Sequence, residues 1–382
     1  MRWQSLYFTN RSFKLLRHWT TWEEESEMKA LRFHAAKDLR VEDIPLPTDP
    51  ADDEVVIKNR FVGICGTDLH EYAYGPIFVP KDAEGKTAQP QVLGHEYGGV
   101  VTKVGKSVTH VKVGDRVSVQ PFITPRGGDY YSDLGHFNLS DQLQLAGLSW
   151  IGGGMASESL LKGFNVYKVP DNLSDEDAAL VEPTAVAVYG VDRGGVKAGD
   201  SVLVTGAGPI GLLTLLAARA AGAVQLFVSD PNATRLAIAQ KIIPDVVTIN
   251  PREQGVGDVI RAATEGNVGC DVALECVGNT LALQACVDAV RKRGTVVQIG
   301  LHAGEAPVNW FNVTYKDIDI RGSWAYTAQM WPRVMRLIAS GQIPAHKVVT
   351  KTVQLDTAIK EGFDALLDPA GTQLKILIDL SR

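Results

Sequence analysis

The stretch SVLVTGAGPIGLLTLLAARAA, residues 201–221, decides much of the fold. Ser201–Thr205 is a short apolar run typical of a buried strand, and Ile210–Ala221 is rich in leucine and alanine, as helices are. Between them lies the loop Gly206-Ala207-Gly208-Pro209-Ile210-Gly211. Its glycines permit a tight turn, close approach of the backbone to a pyrophosphate, and close packing of the helix on the sheet. The stretch therefore predicts a dinucleotide-binding unit.

An acidic residue follows the next predicted strand, Val224–Ser229, near the spacing expected of a ribose ligand. The carboxylate of Asp230 can accept hydrogen bonds from ribose hydroxyls and would repel a 2′-phosphate, which favours NAD over NADP. Two observations leave this open. Asp230 can instead cap the turn at Pro231-Asn232, and Arg235 can accommodate a phosphate.

The pattern of apolar runs divides the chain. Residues 28–180 alternate short strand-like runs with glycine, proline and aspartate, which predicts a β-rich domain. Residues 181–326 alternate strands with helices, which predicts a doubly wound parallel sheet and an α/β fold. Residues 327–382 are expected to contain one helix, Trp331–Ser340, followed by short strands.

Two short motifs in the β-rich domain offer metal ligands. The run GICGTDLH, residues 63–70, holds Cys65, and GHE, residues 94–96, holds His95 and Glu96. Either Cys65 or His95 alone can be an ordinary core residue, but thiolate and imidazole together select zinc. A catalytic zinc needs a third protein ligand. We predict Glu182 in this role, at the predicted domain junction, with Glu96 as the rival or exchanging ligand. Glu182 can instead be the N-cap or a first-turn acid of the next helix.

The composition argues against several other classes of protein. The chain has 382 residues, a net charge of −6 and 45% apolar residues, so a basic nucleic-acid-binding surface is not expected. No apolar run is long enough to suggest a membrane span. The four cysteines, at positions 65, 270, 276 and 286, include no C-x-x-C pair, and we expect a reducing compartment, the cytoplasm.

The N-terminal extension, residues 1–27, differs in composition from the rest. Arg2, Arg11, Lys14 and Arg17 occur among aromatic and hydroxyl residues, with no acid before Glu23. Such a composition is typical of a mitochondrial targeting segment. A disordered tail, or a translation start at Met28, explains it equally simply.

Several motifs together give the chain a family resemblance. They are GICGTDLHEY at 63–72, GHEYGG at 94–99, Gly105, Val108, Glu182-Pro183, the glycine loop, Glu275-Cys276-Val277-Gly278 and Gly322-Ser323. From Met28 onward the chain resembles the zinc-dependent medium-chain alcohol/polyol dehydrogenases, and within them the 2,3-butanediol dehydrogenases. The resemblance implies a GroES-like β domain completed by the C-terminal segment, a Rossmann domain, and a homodimer or homotetramer.

The resemblance also implies roles for single residues. The positions of Cys65, His95 and Glu182 hold the catalytic zinc, and Glu96 is a ligand in some polyol dehydrogenases. Thr67 accepts the alcohol proton, and the imidazole of His70 passes it towards solvent. A turn hydroxyl and an exposed imidazole are the simpler explanations of these two residues.

One family feature is missing from this sequence. Many members hold a second, structural zinc with C-x2-C-x2-C-x7-C, and the four corresponding positions here are Arg126, Asp129, Ser132 and Ser140. Hydroxyls and one carboxylate beside an arginine make a poor closed zinc site. We predict one zinc per subunit, no structural zinc, and a pairing of Arg126 with Asp129.

The sequence thus predicts an NAD- and zinc-dependent dehydrogenase acting on a secondary alcohol or vicinal diol, with 2,3-butanediol and acetoin as the expected pair. A polyol dehydrogenase for sorbitol, xylitol or arabinitol is the alternative, and a pocket rich in hydrogen-bonding side chains would favour it. A dinucleotide-binding protein without turnover is a further alternative. The intact Cys65, His95, Glu182 and Thr67 argue against it.

Overall fold

The computed structural model describes residues 27–368, 370 and 372–381. The predictions for the N-terminal extension therefore lie outside the described residues, apart from Glu27, which begins the first strand. Along the part of the chain that is described, no helix has the length and apolar character needed to cross a membrane.

The chain contains both β-strands and α-helices, numbered here in chain order. The strands are β1 (Glu27–Ala35), β2 (Asp38–Pro45), β3 (Glu54–Gly63), β4 (Gln91–Val92), β5 (Glu96–Val104), β6 (Arg116–Val119), β7 (Glu158–Lys162), β8 (Val166–Lys168), β9 (Ser201–Thr205), β10 (Gln225–Ser229), β11 (Val247–Ile249), β12 (Cys270–Glu275), β13 (Val290–Gln298), β14 (Asp319–Gly322), β15 (Val349–Gln354) and β16 (Lys375–Asp379). The α-helices are α1 (Gly66–Tyr74), α2 (Tyr130–Asp133), α3 (Asp175–Gly194), α4 (Pro209–Ala220), α5 (Ala233–Ile242), α6 (Val256–Ala263), α7 (Thr280–Ala289), α8 (Trp310–Lys316), α9 (Trp331–Ala339) and α10 (Ala365–Leu367).

The strands β9 to β14 form the dinucleotide-binding sheet. Within the described residues its order is β11-β10-β9-β12-β13-β14, and every pairing is parallel. This is the 3-2-1-4-5-6 order of a doubly wound sheet. Every residue of β9 is buried, as expected of a strand covered by helices on both faces. The predicted fold class is confirmed for this part of the chain.

A second sheet carries the metal-ligating motifs. Among the described residues its order is β15-β16-β3-β5-β6-β8, with β7 paired to β3. The C-terminal strand β16 pairs antiparallel with β3, so the end of the chain is part of the β-rich domain that its beginning forms. A smaller sheet, β2-β1-β4, packs beside it.

Helix α3 joins the two domains. The junction predicted at residues 180 and 181 falls inside this helix, which begins at Asp175 with Ser174 as its N-cap and continues to Gly194. It contacts β3, β5 and β6 on one side and α4 on the other. Because one continuous helix belongs to both cores, residues on α3 are held rigidly between the β-rich domain and the dinucleotide-binding sheet.

Candidate metal centre and cofactor loop

Cys65 stands at the first turn of α1. It occupies the N-cap position, and Asp68 Oδ2 accepts a hydrogen bond from the Cys65 backbone N–H at 2.9 Å. Asp68 is fully buried, and its other oxygen lies 3.6 Å from Nδ1 of His95. The Asp68 carboxylate therefore stabilises the turn that carries the Cys65 thiol, and it also faces the His95 imidazole. Carboxylates placed in this way orient histidines that bind metals.

His95 and Glu96 lie where the chain enters β5. The preceding residue, Gly94, has φ +94°, a left-handed conformation that favours glycine. A Cβ at this position would lie 2.8 Å from side-chain atoms of both Met155 and Val62. The turn therefore needs glycine both for its backbone angle and for space, and it delivers His95 and Glu96 as adjacent, buried side chains.

The described part of the chain contains a group of three side chains suited to a metal ion. The ligand atoms of Cys65, His95 and Glu96 all lie within 4.8 Å of one another. Among the described residues, His95 Nδ1, Glu96 Oε1 and Asp68 Oδ1 are buried without a hydrogen-bond partner, while Glu96 Oε2 meets the Lys375 ammonium in an ion pair. Buried polar atoms are normally satisfied, so a metal ion held by this group would complete their partners. A thiolate, an imidazole and a carboxylate fit zinc.

The pocket is electronegative. Burial lowers the pKa of His95, but the facing Asp68 carboxylate and the Cys65 thiolate outweigh burial, so this pKa lies above its ordinary value. Such a pocket favours a cation in the position that three ligand atoms surround.

Glu182 lies near this group but has its own partner. It is buried on α3, and its Oε1 accepts a hydrogen bond of 2.8 Å from the Tyr326 hydroxyl. Burial raises the pKa of Glu182 to about 7, while the nearby His95 opposes this increase. The group within 4.8 Å contains Glu96, the rival in the sequence-based prediction, and not Glu182. Both acids also have a protein partner, Tyr326 for Glu182 and Lys375 for Glu96. Glu182 remains close enough to interact electrostatically with His95.

Thr67 and His70 lie on α1, one turn apart. Thr67 Oγ1 is 3.8 Å from Cys65 Sγ, so the hydroxyl adjoins the candidate ligand. His70 is exposed. Residues at this spacing share one face of a helix. Both positions are compatible with the predicted relay of a proton from the site to solvent.

The glycine loop has the backbone that the motif predicts. Gly206 has φ +93°, and its N–H donates to Ser229 O at 2.7 Å. Gly208 caps α4, whose first residues are Pro209 and Ile210, and no described atom lies within 4 Å of a Cβ placed on Gly208. A Cβ on Gly211 would collide with the Gly206 carbonyl oxygen. The loop therefore leaves backbone N–H groups accessible at a helix N-terminus, a favourable site for phosphate.

Asp230 is tied to this loop. Its Oδ2 accepts from the Ala207 N–H and its Oδ1 from the Asn232 N–H, each at 2.8 Å. The turn-capping role is therefore present, and each oxygen keeps a lone pair with which it can accept a ribose hydroxyl. Arg235, in the first turn of α5, has a buried Nε without a partner among the described residues.

The loop at residues 126–140 differs from the sequence-based prediction. Arg126 does not pair with Asp129. Its guanidinium carbon lies 4.1 Å from the ring centre of Phe137 and 4.0 Å from that of Phe164. Asp129 Oδ2 instead accepts from the hydroxyls of Ser132 at 2.8 Å and Ser140 at 2.7 Å. The planar guanidinium of Arg126 is stabilised by the faces of the two aromatic rings. The Asp129 carboxylate is instead the N-cap of α2.

Comparison with known proteins identifies the family. A model described as "Alcohol dehydrogenase GroES-like domain" matches residues 51–171, and one described as "Zinc-binding dehydrogenase" matches residues 209–340. Human sorbitol dehydrogenase is 36% identical over 356 residues, which cover 92% of this chain and 96% of that enzyme. The chain belongs to the zinc-dependent medium-chain dehydrogenases. It is thus an oxidoreductase of the class that acts on CH–OH groups.

Solved structures agree with this family assignment. The crystal structure of 2R,3R-butanediol dehydrogenase from Bacillus subtilis has a TM-score of 0.84 and 37% identity, covering 92% of this chain and 99% of that one. A zinc-binding dehydrogenase from Sinorhizobium meliloti 1021, bound to NADP, has a TM-score of 0.82 and 28% identity, covering 93% and 100%. The GroES-like and Rossmann fold of this medium-chain dehydrogenase is confirmed.

Three residues at the site carried no usable sequence signal. Tyr326 and Lys375 come from distant parts of the chain, and Gln120 follows β6 without a motif. Gln120 is fully buried near the Tyr326 hydroxyl, and neither of its side-chain amide atoms has a hydrogen-bond partner among the described residues. The GHE motif marks Glu96, but only the strand pairing of β5 shows which acid joins Cys65 and His95.

The ligand assignment predicts different effects for two acids. Glu96→Gln removes a carboxylate from the group of three ligand atoms, whereas Glu182→Gln alters a residue that is bonded to Tyr326. We expect Glu96→Gln to weaken zinc affinity by roughly 10- to 100-fold or more, and Glu182→Gln to weaken it less. Competition with a chromogenic chelator measures both. A larger loss in Glu182→Gln would reverse the assignment.

Proposed function

We propose that this dehydrogenase interconverts a vicinal diol and its hydroxyketone with NAD, the expected pair being 2,3-butanediol and acetoin. The observation that carries the proposal is the group of Cys65, His95 and Glu96 within 4.8 Å of one another. Thr67 adjoins it, and a dinucleotide loop occupies the neighbouring domain. The 37% identity to (R,R)-butanediol dehydrogenase of Bacillus subtilis, over 92% of this chain, supports the substrate.

A diol needs a polar partner for its second hydroxyl. Tyr326 and Glu182, which are hydrogen-bonded to each other, and Gln120 are buried polar side chains near the ligand group. Sites built to bind a substrate hydroxyl discriminate strongly against an analogue that lacks it, because their buried polar groups are then left unpaired. These residues therefore favour a diol over a simple secondary alcohol.

The residues divide the reaction between them. Cys65, His95 and Glu96 would hold zinc, which supplies Lewis acidity to the alcohol oxygen. Thr67 would receive the hydroxyl proton and pass its own proton on towards His70, which is exposed and would release a proton to solvent. A bound nicotinamide would supply the hydride acceptor, and loss of one proton and one hydride would convert the alcohol to a ketone. Asp68 keeps His95 oriented.

One observation favours the polyol alternative. A cavity of about 320 Å³ is lined partly by Asn138, Arg193, Gln298 and Ser323, and its wall includes Trp324, two residues before Tyr326. Among the described residues, Asn138 Oδ1 and Ser323 Oγ are buried without a hydrogen-bond partner. A ligand with several hydroxyls would find hydrogen-bonding partners in this cavity, although Cys65, His95 and Glu96 do not line it. The 36% identity to human sorbitol dehydrogenase agrees with this alternative.

The substrate proposal is tested by NAD reduction with 2,3-butanediol, 2-butanol and sorbitol. We expect kcat/KM to be highest for 2,3-butanediol and at least about tenfold lower for 2-butanol, which lacks the second hydroxyl. Cys65→Ala should abolish turnover of all three while NAD binding, followed by cofactor fluorescence, stays intact. Preference for sorbitol would establish the polyol alternative, and normal turnover by Cys65→Ala would remove zinc from the proposal.

We assign NAD as the cofactor because Asp230 lies at the end of β10 beside the glycine loop. A negative charge there opposes a 2′-phosphate, and Arg235 is the residue that would favour one. Because the related Sinorhizobium meliloti structure is bound to NADP, residues at this position, rather than the fold, are expected to set the preference.

Asp230→Asn tests the cofactor assignment without changing side-chain size. Removal of the charge should lower the ratio of kcat/KM for NAD to that for NADP by about tenfold or more, because like-charge repulsion is lost. Arg235→Ala in the same background should weaken NADP use again. An unchanged ratio in Asp230→Asn would exclude Asp230 from the ribose site.

We propose that the protein is a homodimer or a homotetramer. Strand β14 is at the edge of its sheet among the described strands, and α8 precedes it with three exposed aromatic residues. Trp310, Phe311 and Tyr315 are 64%, 75% and 63% exposed. An unprotected edge beside an exposed apolar surface is where sheets pair across subunits.

Phe311→Glu should disrupt this interface. We expect the dissociation constant of the dimer to rise by roughly tenfold or more in light scattering, since buried aromatic residues dominate interfaces. Leu281→Glu is the matched control, because Leu281 is also exposed, at 83%, and lies on α7. Loss of assembly in the control alone, or a monomeric wild type, would contradict the proposal.

A reducing compartment, the cytoplasm, suits the described cysteines. All four are free thiols in the structure, and Cys65 must stay reduced to act as a ligand.

A further inference from the structure

Glu275 and His302 form a buried pair at the carboxyl end of the dinucleotide-binding sheet. Glu275 ends β12, and its Oε2 lies 3.4 Å from His302 Nε2, with the two side chains 0% and 14% exposed. Within the described residues, neither of these two atoms forms a hydrogen bond to any other group. A buried carboxylate is costly unless it is paired. His302, with its proton on Nε2, is therefore the group placed to pair with this oxygen.

The pair connects the ends of two neighbouring strands. Strand β12 pairs in parallel with β13, and the backbone N–H groups of Ile299 and Gly300 both donate to the Glu275 carbonyl, at 2.9 Å and 3.0 Å. A Cβ on Gly300 would lie 2.8 Å from Glu275 Oε2, so the chain passes directly against the carboxylate here. Glu275 therefore holds residues 299–302 with its main chain at one end and with its side chain, through His302, at the other.

The same carboxylate also holds the turn that follows β12. Glu275 Oε1 accepts hydrogen bonds from the N–H groups of Val277 at 2.7 Å and Gly278 at 2.8 Å. This turn adjoins the glycine loop, because a Cβ on Gly206 would lie 2.8 Å from Val277 Cγ2. The turn after β12 thus lies between the glycine loop and the segment after β13.

The position of this segment assigns it to one half of the cofactor. A doubly wound sheet has two mononucleotide-binding halves, and the dinucleotide lies across the carboxyl ends of the strands. Because Asp230, at the end of β10, is the proposed ribose ligand of the adenosine, the ends of β12 and β13 are left for the nicotinamide. Val277 and Leu301 are 46% and 47% exposed there, an aliphatic surface on which an aromatic ring can pack.

We propose that His302 is a positioning residue for the nicotinamide half of the cofactor, acting through Glu275. The pair holds residues 299–302 against the turn after β12 and so fixes Leu301 beside the glycine loop. The inference rests on the dinucleotide cofactor of the proposed function. Without His302, the segment is held by its main chain at residues 299 and 300 alone, and Leu301 is free to move away from the crevice.

Binding of NADH and of AMP to the zinc-loaded protein tests this role. His302→Leu removes the ring nitrogen that faces Glu275, and it should weaken NADH binding by about tenfold or more, because a hydrogen bond to a charged group is lost. AMP occupies the adenosine half alone, so its affinity should stay at the wild-type value. His302→Gln keeps an N–H donor and should restore most of the NADH affinity. Fluorescence titration measures NADH binding, and calorimetry measures AMP binding.

Two further variants make the result specific. His346→Leu is the matched control: His346 Nδ1 lies 3.5 Å from Asp177 Oδ1, at the start of α3, and its loss should leave both affinities unchanged. Thermal unfolding checks that each variant folds. If His302→Leu does not fold, His302→Ser removes the same nitrogen with a smaller, polar side chain and should give the same selective loss.

The outcomes separate this inference from the cofactor assignment. If the wild-type protein does not bind NADH, the cofactor of the proposed function is wrong and the inference fails with it. If the wild type binds NADH but His302→Leu binds it equally well, or loses AMP affinity by the same factor, His302 does not position the nicotinamide half. A loss confined to NADH and restored by His302→Gln establishes the positioning role.

Discussion

The antiparallel pairing of β3 with β5 places Gly63 opposite Glu96, and the candidate metal centre depends on this register. The chain leaves β3 through Cys65 and enters β5 through His95, so the pairing brings two distant motifs to one end of the sheet. A slip of one residue in this pairing would turn the side chains at this end of β5, including Glu96, to the other face of the sheet. The glycines at 63 and 94 permit the close approach, because neither position has space for a Cβ.

Charge compensation is the second constraint on this interior. Asp68, Glu96 and Glu182 are all buried within one region, with the Cys65 thiol beside them. Isolated buried carboxylates are costly. Backbone N–H groups, the Tyr326 hydroxyl and the Lys375 ammonium offset part of this cost, and a divalent cation would offset more. The charges of this site are therefore consistent with a bound divalent metal ion.

Much of this architecture could be predicted from the sequence, for identifiable reasons. The glycine loop and the apolar runs around it are local signals, and they predict the parallel sheet and the N-terminus of α4. Cys65 and His95 stand in short motifs with flanking glycines.

The identity of the acidic ligand could not be predicted from local signals. The choice between Glu96 and Glu182 depends on strand register and on a hydrogen bond to Tyr326, a residue far along the chain. Lys375 has no motif, and only β16 brings it to the site. The orientation of Arg126 depends on two aromatic rings whose proximity is a tertiary property.

X-ray absorption at the zinc edge of the purified, zinc-loaded protein would test the central claim most directly. The proposed ligand set has one sulfur, so we expect about one zinc per chain, a single sulfur near ~2.3 Å and the remaining ligands as nitrogen or oxygen at ~2.0–2.2 Å. A spectrum with several sulfur ligands, or with none, would contradict the assignment of Cys65, His95 and Glu96.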